Sequence, residues 1–579
     1  MAVLRRVIRR FSPLLRAFQV FVLPAALGLW PGVTADAAPG ANPPALELMT
    51  ELGCAACHGD LPAPTTLRDR TPDLASAGLR YRPAYLFDFL QDPARVHPHL
   101  GRARMPDFHL SPSEALALAL FLQDQRQTRG TWPPMPPGLE APAVGATVEI
   151  AEAMPWLRDA GRCLNCHRVN GEGGSVGIEL TTVGYRLQPD WVRRYLVAPA
   201  MFGVDPGIMP PPFFQPNTAS TAFQPLTNDA VRAINTITSF LSAQGGERRA
   251  ALEAGWLEAR TRHPDVTAAQ GEQLFVAFNC AACHRHHRLS PRTTAAAPPL
   301  MSAGTRLQSG WLEAFLRHPQ PVRPFGFQPG DGARMPDFRL EPVEVSLLAN
   351  YLSHATTTAL PAFEAPPPSV FSRRKAVNLM RDKLDCLGCH AWRGEGGRMA
   401  PDLALAAQRL RPEYVRQMLR DPQSVAPHSI MPKPMLPEST ADLITRFLMD
   451  GEPIETTTSS LSPLDHPLLL GGPDTRPDSA PHLHLTHCAG CHGTAGHGDG
   501  FNARYLPVQP TAHADAAMMG TRPDDTLFDG IHGGGAILNK SPRMPAWGGT
   551  LAPEDIRALV AHLRTLCQCR QPAWAEDAP

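Results

Sequence analysis

The sequence predicts a mainly α fold, in which five small helical domains follow one another and are joined by long proline-rich loops. The motif Cys-x-x-Cys-His occurs five times among the 579 residues, at intervals of roughly a hundred. The 63 prolines exceed typical usage about twofold, which favours short helices and long loops. Each of the five repeats ends in a segment whose apolar residues have helical spacing. The expected domains span residues 38–127, 143–245, 262–357, 370–452 and 475–572.

The five motifs use ten of the twelve cysteines, and a histidine directly follows each pair. This pattern is the attachment signature of haem c, in which both thiols bond to the porphyrin and the histidine ligates iron. A structural zinc site needs four ligands and gives no reason for that histidine, and a disulfide framework is typical of much shorter chains. The sequence therefore predicts five covalently attached haem c groups. The attachment residues are Cys54, Cys57 and His58; Cys163, Cys166 and His167; Cys280, Cys283 and His284; Cys386, Cys389 and His390; and Cys488, Cys491 and His492.

A methionine follows each motif and is the candidate for the second iron ligand. Each lies 41–52 residues after its histidine, precedes a proline and comes before the closing helix. Core methionines are common, but the same context in all five copies favours ligation. A methionine ligand raises the reduction potential relative to a second histidine. The candidates are Met105, Met209, Met335, Met431 and Met544, with Met435 as an alternative to Met431 and with Met518 and Met519 as alternatives to Met544.

The first four copies are of two alternating kinds. This indicates a duplicated two-haem unit followed by a different fifth domain. Copies one and three share Arg-Met-Pro-Asp-Phe, whereas copies two and four share Gly-Glu-Gly-Gly and Ile-Met-Pro. The offsets are 226 residues from Cys54 to Cys280 and 223 residues from Cys163 to Cys386. An arginine also recurs after each of the first four motifs. It has two interpretations, a ligand for a haem propionate or a solvated residue at a helix start. These arginines are Arg80, Arg186, Arg306 and Arg409.

Each copy is expected to end in an amphipathic helix. In copy one, Ser111 and Glu114 have the spacing of a capping box, with Pro112 at the first helical position. The other closing helices are predicted over Asp229 to Leu241, Val343 to Leu352, Ala441 to Leu448 and Pro553 to Leu566. Proline-rich stretches separate the units and are expected to act as stiff spacers that do not fix one orientation. They run over Trp132 to Pro142, Leu360 to Pro368 and Pro453 to Pro481.

Nearly everything after residue 40 resembles the class I cytochrome c family in tandem, most closely in the fifth copy with Cys488-Ala-Gly-Cys-His-Gly and Met544-Pro-Ala-Trp-Gly. The resemblance implies that an N-terminal and a C-terminal helix cross beside the haem, with Gly271 and Phe275 at the N-terminal crossing. It also implies a proline-rich turn whose carbonyl holds the haem histidine. The matching segments begin at Pro72, Pro298 and Pro401, whereas copy two has Ile178-Glu179-Leu180 there.

Cys567 and Cys569 lie after the last helix and are not part of the family pattern. In an oxidising compartment they would bond to each other or to a partner, and free thiols are the third alternative. The sequence leaves these alternatives open.

Residues 1–37 are expected to be a signal peptide. Five arginines precede a mostly apolar stretch, and Ala35-Asp36-Ala37 offers a cleavage site. The alternative is an uncleaved membrane anchor. We therefore expect a periplasmic or otherwise exported protein. The remainder is mildly acidic and has no basic stripe, which excludes a nucleic-acid-binding protein.

These features together predict an electron carrier that transfers electrons between redox partners whose identity the sequence does not give. No catalytic acid, base or nucleophile is evident, so we do not expect an enzyme. The alternatives are a cytochrome subunit of a larger respiratory oxidoreductase complex, associated with a membrane, and a multihaem peroxidase or reductase. A peroxidase requires an open iron position, and every copy has a candidate methionine to close it.

Overall fold

A computed structural model describes residues 44–61, 71–93, 104–127, 138–139, 149–202, 209, 213, 227–291, 297–323, 334–356, 359–427, 429–451, 462, 464 and 479–576. The predicted signal peptide, residues 1–37, lies outside these ranges. The prediction of a mainly α fold is confirmed. The chain from residue 44 onward forms one compact unit, so its copies pack on one another more closely than domains on stiff spacers would. Among the described helices, none has the length and apolarity needed to cross a membrane.

The first two copies consist of short helices. Copy one contains α1 (Pro44–Leu52), α2 (Ala77–Arg80), α3 (Pro83–Gln91) and α4 (Pro112–Gln123). Copy two contains α5 (Ile150–Pro155), α6 (Val183–Arg186), α7 (Pro189–Val197) and α8 (Asn228–Ala243). It also has the antiparallel strands β1 (Arg168–Val169) and β2 (Glu172–Gly173), the second of which lies in the Gly-Glu-Gly-Gly segment.

Copies three and four repeat this arrangement. A connecting helix, α9 (Gly246–Arg262), precedes copy three, which contains α10 (Ala268–Ala277), α11 (Ala303–Arg306), α12 (Ser309–Arg317) and α13 (Pro342–His354). Copy four contains α14 (Val370–Asn378), α15 (Cys386–Cys389), α16 (Ala406–Arg409), α17 (Pro412–Arg420), α18 (Pro422–Val425) and α19 (Glu438–Met449). Its antiparallel strands are β3 (Ala391–Trp392) and β4 (Glu395–Gly396). Copy five contains α20 (Ala480–Leu483), α21 (Ala489–His492), α22 (Ala516–Met519), α23 (Asp524–Gly533) and α24 (Pro553–Cys567).

The predicted closing helices are present within a few residues of their expected bounds, as α4, α8, α13, α19 and α24. Helix α4 is not amphipathic as expected, because residues 114–119 are all buried between the elements that pack around it. The capping box of α4 is confirmed. The Glu114 N–H donates to the Ser111 hydroxyl at 3.3 Å, and the Ser111 N–H donates to the Glu114 carboxylate at 2.8 Å. Two N–H groups that the helix itself leaves unpaired are thereby satisfied.

Helix α9 has no counterpart in the sequence prediction. It is largely polar, and only Leu252 and Ala259 among its 17 residues are buried. Its sequence therefore lacks the apolar stripe from which an amphipathic helix is predicted. It packs on copy one through Trp256, whose ring meets Phe87 edge-on at 5.9 Å between centroids. Tertiary packing therefore stabilises a helix that has little amphipathic signal.

Copies one and three exchange their first helices. Helix α1 packs against α13 of copy three, where Leu48 and Leu52 share one apolar core with Leu352. Helix α10 packs against α4 of copy one, where Phe275 lies 5.4 Å from Phe121 between ring centroids. The predicted boundaries 38–127 and 262–357 treat each copy as contiguous, and the packing departs from this. The connecting residues 62–70 and 292–296 lie outside the described residues.

Gly271 occupies the crossing of α10 and α4. A Cβ atom at this position would lie 2.0 Å from the carbonyl oxygen of Ala117 and 2.7 Å from the Cβ of Phe121. The family resemblance implies a close crossing at Gly271, and the structure has one, with the helix of the other copy. The backbones approach so closely because glycine has no side chain.

We expect Gly271→Ala to destabilise the protein by at least about 1–3 kcal/mol, because the new methyl group must displace backbone atoms in a packed core. Gly255→Ala in α9 is the matched control. No atom lies within 4 Å of a Cβ at Gly255, so this change is expected to stabilise the helix by about 0.5–1 kcal/mol. Urea denaturation of the full chain, followed by circular dichroism, measures both. Equal effects of the two changes would contradict the close crossing.

Copies one and three contact each other through reciprocal interactions, as in a pseudo-twofold symmetric pair. Asp107 and Asp337, in the two Arg-Met-Pro-Asp-Phe segments, exchange backbone hydrogen bonds of 2.8 and 2.7 Å. Two ion pairs cross the same junction: Arg104 contacts Glu344, and Arg334 contacts Glu114 at 2.6 Å. These four side chains are nearly excluded from solvent.

Within each two-haem unit, the residues that directly follow the two recurring arginines form an antiparallel β-bridge with each other. Tyr81 pairs with Leu187 in the first unit, and Leu307 pairs with Leu410 in the second. In the first unit, the Gln188 N–H donates to the Arg80 carbonyl at 2.9 Å. The two units therefore use the same contact to join their copies.

Candidate functional site

Each attachment motif folds into a tight helical turn that places both thiols and the imidazole close together. The His58 N–H donates to the Cys54 carbonyl at 3.0 Å, and the His284 N–H donates to the Cys280 carbonyl at 2.9 Å. A residue with positive φ precedes each of these turns, namely Gly53 at 76° and Asn279 at 54°. Glycine and asparagine adopt this left-handed conformation most readily.

Each motif histidine is held through Nδ1 by a backbone carbonyl, which leaves Nε2 available to an iron. The fourth histidine contacts the carbonyl of its own copy's predicted proline turn, whereas the first and third histidines use each other's turns. Copy two, without the proline, provides the carbonyl of Ile178. The pairs are His58 with Pro298 (2.7 Å), His167 with Ile178 (2.9 Å), His284 with Pro72 (3.2 Å), His390 with Pro401 (2.7 Å) and His492 with Thr511 (2.9 Å).

One large, mainly apolar cavity connects four of the five motifs. Its volume is about 1700 Å³, which exceeds the roughly 300–1,000 Å³ typical of a single small-molecule pocket. The predicted iron ligands that line it are His58, His284, His390 and His492, together with Met105, Met335, Met431 and Met544. His167 and Met209 do not line this cavity. Cys163 and Met209 pack against the apolar core that copy two shares with copy one.

The cysteines that line the cavity are neutral thiols in the absence of a bond. Removal from water raises the pKa of Cys54, Cys280, Cys386 and Cys488 to about 12. A structural zinc site needs four ligands, and the described residues contain no group of three or more histidine, cysteine or acidic side chains that could hold a metal ion. The enclosed thiols therefore fit thioether bonds to a large apolar cofactor better than they fit a zinc site.

The recurring arginines line the same cavity, and none of the four forms an ion pair with a carboxylate among the described residues. Removal from water and the neighbouring Arg306 lower the pKa of Arg409 to about 10. A buried guanidinium without a counter-charge is costly, and a haem propionate would supply both the charge and the acceptor. This favours the propionate interpretation over a solvated arginine. Buried Nε atoms without a hydrogen-bond partner occur at Arg80, Arg186 and Arg409.

The structure distinguishes between the alternative methionines. Met431 packs against the core of copy four and lines the cavity, whereas Met435 is 79% exposed. In copy five, Met544 lines the cavity beside the motif, whereas Met519 is fully buried in the core. The positions of Met431 and Met544 suit an iron ligand, whereas Met435, Met518 and Met519 do not line the cavity.

Cys567 and Cys569 form a disulfide bond with each other. Cys567 is buried and belongs to the core of copy five. Of the alternatives that the sequence leaves open, the structure has the internal bond.

Two buried asparagines join neighbouring motifs, and the sequence analysis missed both. The Asn279 amide donates to the Ala56 carbonyl at 2.7 Å, which links motifs three and one. The Asn502 amide donates to the Gly388 carbonyl at 2.8 Å, which links copies five and four. The position of Asn279 directly before a motif is a weak indication of its role. No feature of the sequence indicates the role of Asn502.

Copy five contains a buried histidine, His484, whose charged form the fold disfavours. It is 2% exposed, its Nε2 has no hydrogen-bond partner in the part of the chain that the structure describes, and the rings of His513 and His562 lie against it. Burial and the nearby histidines His562 and His492 lower the pKa of His484 to about 4, below its ordinary value of 6.5. The unfolded chain therefore binds a proton in a pH range where the folded protein does not.

We expect the stability of copy five to fall as the pH decreases from about 6.5 to about 4, because the unfolded state takes up more protons in this range. His484 contributes at most about 1.4 kcal/mol per pH unit. His484→Phe keeps an aromatic ring and removes the titration, so it should flatten the dependence. Thermal unfolding of both proteins between pH 4 and 7 measures the slopes. Identical slopes would exclude His484 as a source.

Two segments match models of known protein families. Residues 476–563 match the family described as cytochrome c oxidase, cbb3-type, subunit III. Residues 268–356 match the family described as cytochrome c. These ranges fall in copies five and three, and no curated protein matches the chain.

Proposed function

We propose that this chain, two segments of which match models of cytochrome families, is an exported pentahaem c-type cytochrome that carries electrons between redox partners. When bound, haem c supplies an iron that alternates between the ferric and ferrous states. The motif histidines and the candidate methionines would hold that iron, the backbone carbonyls at Nδ1 would orient the imidazoles, and the apolar side chains of the cavity would exclude water.

The observation that carries this proposal is the continuous cavity. Among the described residues, four motif histidines and four candidate methionines line one cavity. Electron transfer needs closely spaced sites whose ligands do not change, and a histidine–methionine pair provides such a closed site. An enzyme that activates a small molecule would need an open iron position instead. Each copy offers a methionine that closes it.

A haem count and a redox titration of the purified full chain test this proposal. The mass of the intact protein should exceed that of the polypeptide by five haems, and acidified organic solvent should extract no colour. Optical and EPR spectra through the titration should show histidine–methionine ligation. Fewer than five haems, or ready binding of carbon monoxide to a ferrous site, would contradict a pentahaem carrier.

Export is supported by the basic and apolar character of residues 1–37 and by the Ala35-Asp36-Ala37 site. N-terminal sequencing of protein from the periplasmic fraction tests it. The mature chain is expected to begin at Ala38. A chain that begins at residue 1 and sediments with membranes would indicate an anchored form.

A second candidate function is that of a cytochrome subunit in a larger respiratory complex. It rests on the match of residues 476–563 to the family named after a subunit of cbb3-type cytochrome c oxidase. Purification from mildly solubilised membranes distinguishes the two functions. Other redox subunits that copurify in fixed proportion would support the complex, whereas an isolated chain would support the free carrier.

A further inference from the structure

We infer that the haem sites of copies one and three are each completed by the other copy, so that His58 shares an iron with Met335 and His284 shares one with Met105. This inference rests on the proposed function, because it presumes a haem at both motifs. A contiguous arrangement would instead pair His58 with Met105 and His284 with Met335. The contacts around each motif decide between these arrangements.

The surroundings of the first motif belong to copy three. The Nδ1 of His58 contacts the Pro298 carbonyl at 2.7 Å, and the Met301 N–H donates to the Asp60 carboxylate at 2.6 Å. Cys54 and Met335 pack against the same apolar core, which is built from α1 and copy three. The methionine beside the first motif is therefore Met335.

The surroundings of the third motif belong to copy one in the same way. The Thr71 hydroxyl donates to the Cys283 carbonyl, and the Leu74 N–H donates to the Arg285 carbonyl at 3.0 Å. Phe278, just before the motif, lies 5.7 Å from Phe108 between ring centroids. Phe108 follows Met105 by three residues. Met105 and Cys280 pack against the same apolar core, so the methionine beside the third motif is Met105.

Because of this exchange, the attachment sites follow one another in space in a different order from that in the sequence. The amide of Asn279 joins the third motif to the first. The pairing of Tyr81 with Leu187 joins the Met105 site to copy two, and the pairing of Leu307 with Leu410 joins the Met335 site to copy four.

The attachment sites form a row in space, and the last site of this row belongs to copy five. There Cys491 Sγ lies 3.8 Å from the sulfur of Met399 in copy four, and Asn502 binds the Gly388 carbonyl of that copy. The row of attachment histidines is therefore His167, His284, His58, His390 and His492. The third motif of the sequence is second in this row, and the first motif is third.

Variants with one haem removed test the pairing. Cys54→Ser with Cys57→Ser removes the haem of the first motif. In this background, Met335→Ala should leave the remaining histidine–methionine signals in the optical and EPR spectra unchanged, whereas Met105→Ala should abolish one. The mirror background, Cys280→Ser with Cys283→Ser, should give the opposite result.

The reversed pattern in either background would overturn the inference and leave the proposed function intact. Failure of the proposed function has a different signature, namely fewer than five haems in the unaltered chain.

A second measurement serves if the serine variants do not accumulate. Leu48 of α1 shares a core with Leu352 of α13 in the exchanged arrangement, whereas a contiguous copy would place it near Leu122 of α4. Double-mutant cycles with alanine in the full chain should show coupling of Leu48 to Leu352 and none to Leu122. Coupling to Leu122 alone would overturn the exchange.

Discussion

Replacement of Glu114 by alanine is expected to destabilise the protein by about 3–5 kcal/mol, because it leaves a buried arginine without its counter-charge. The Glu114 side chain is 1% exposed and that of Arg334 is 11% exposed, and their charged groups lie 2.6 Å apart. This pair crosses the junction between copies one and three. Its loss therefore weakens the contact that joins the exchanged segments.

Two controls separate the contributions of Glu114. Ser111→Ala removes the capping interaction alone and should cost about 1 kcal/mol. Glu313→Ala breaks an exposed pair with Arg317, also at hydrogen-bonding distance (2.8 Å), and should cost less than about 1 kcal/mol. Urea denaturation of the full chain, followed by circular dichroism, compares all three. A loss for Glu114→Ala no greater than that for Glu313→Ala would refute a stabilising buried pair.

Asn502→Ala is expected to have the second-largest effect, roughly 2–5 kcal/mol, because two backbone groups lose their partner inside the protein. The Asn502 side chain is fully buried. Its amide donates to the Gly388 carbonyl at 2.8 Å, and its carbonyl accepts from the Arg398 N–H at 2.7 Å. Copies four and five should therefore unfold at a lower temperature.

Asn350→Ala on the exposed face of α13 provides the matched control, and its effect should stay within about 0.5 kcal/mol. Differential scanning calorimetry of the full chain resolves which transition moves. A similar shift for both variants would show that Asn502 does not join the copies.

The sequence predicts the local parts of this protein well. The spacing of Ser111 and Glu114 predicts the start of α4, and helical apolar periods predict the closing helices. Five copies of the Cys-x-x-Cys-His pattern identify the attachment residues without reference to the fold. These features depend on residues close in sequence, so a linear pattern contains the necessary information.

The long-range arrangement is less accessible to sequence analysis. Copies one and three have nearly the same motif and the same Arg-Met-Pro-Asp-Phe segment, so α1 finds similar surfaces on either copy. No residue type distinguishes His58 bound to Pro72 from His58 bound to Pro298. Helix α9 was missed for a different reason, since its stability comes from contacts with copy one and its own pattern is polar.

The exchanged helices also determine when this protein can finish folding. The His58 imidazole and the Pro298 carbonyl that holds it are separated by 240 residues. A ribosome that adds about 5–20 residues per second needs roughly 10–50 s to bridge that separation. During this interval, and until the exported chain has crossed the membrane, the first segment lacks the surface that buries its apolar side chains, and copy three of another chain could supply it. We therefore expect overproduction to yield intertwined dimers, in proportion to the number of chains in synthesis at one time.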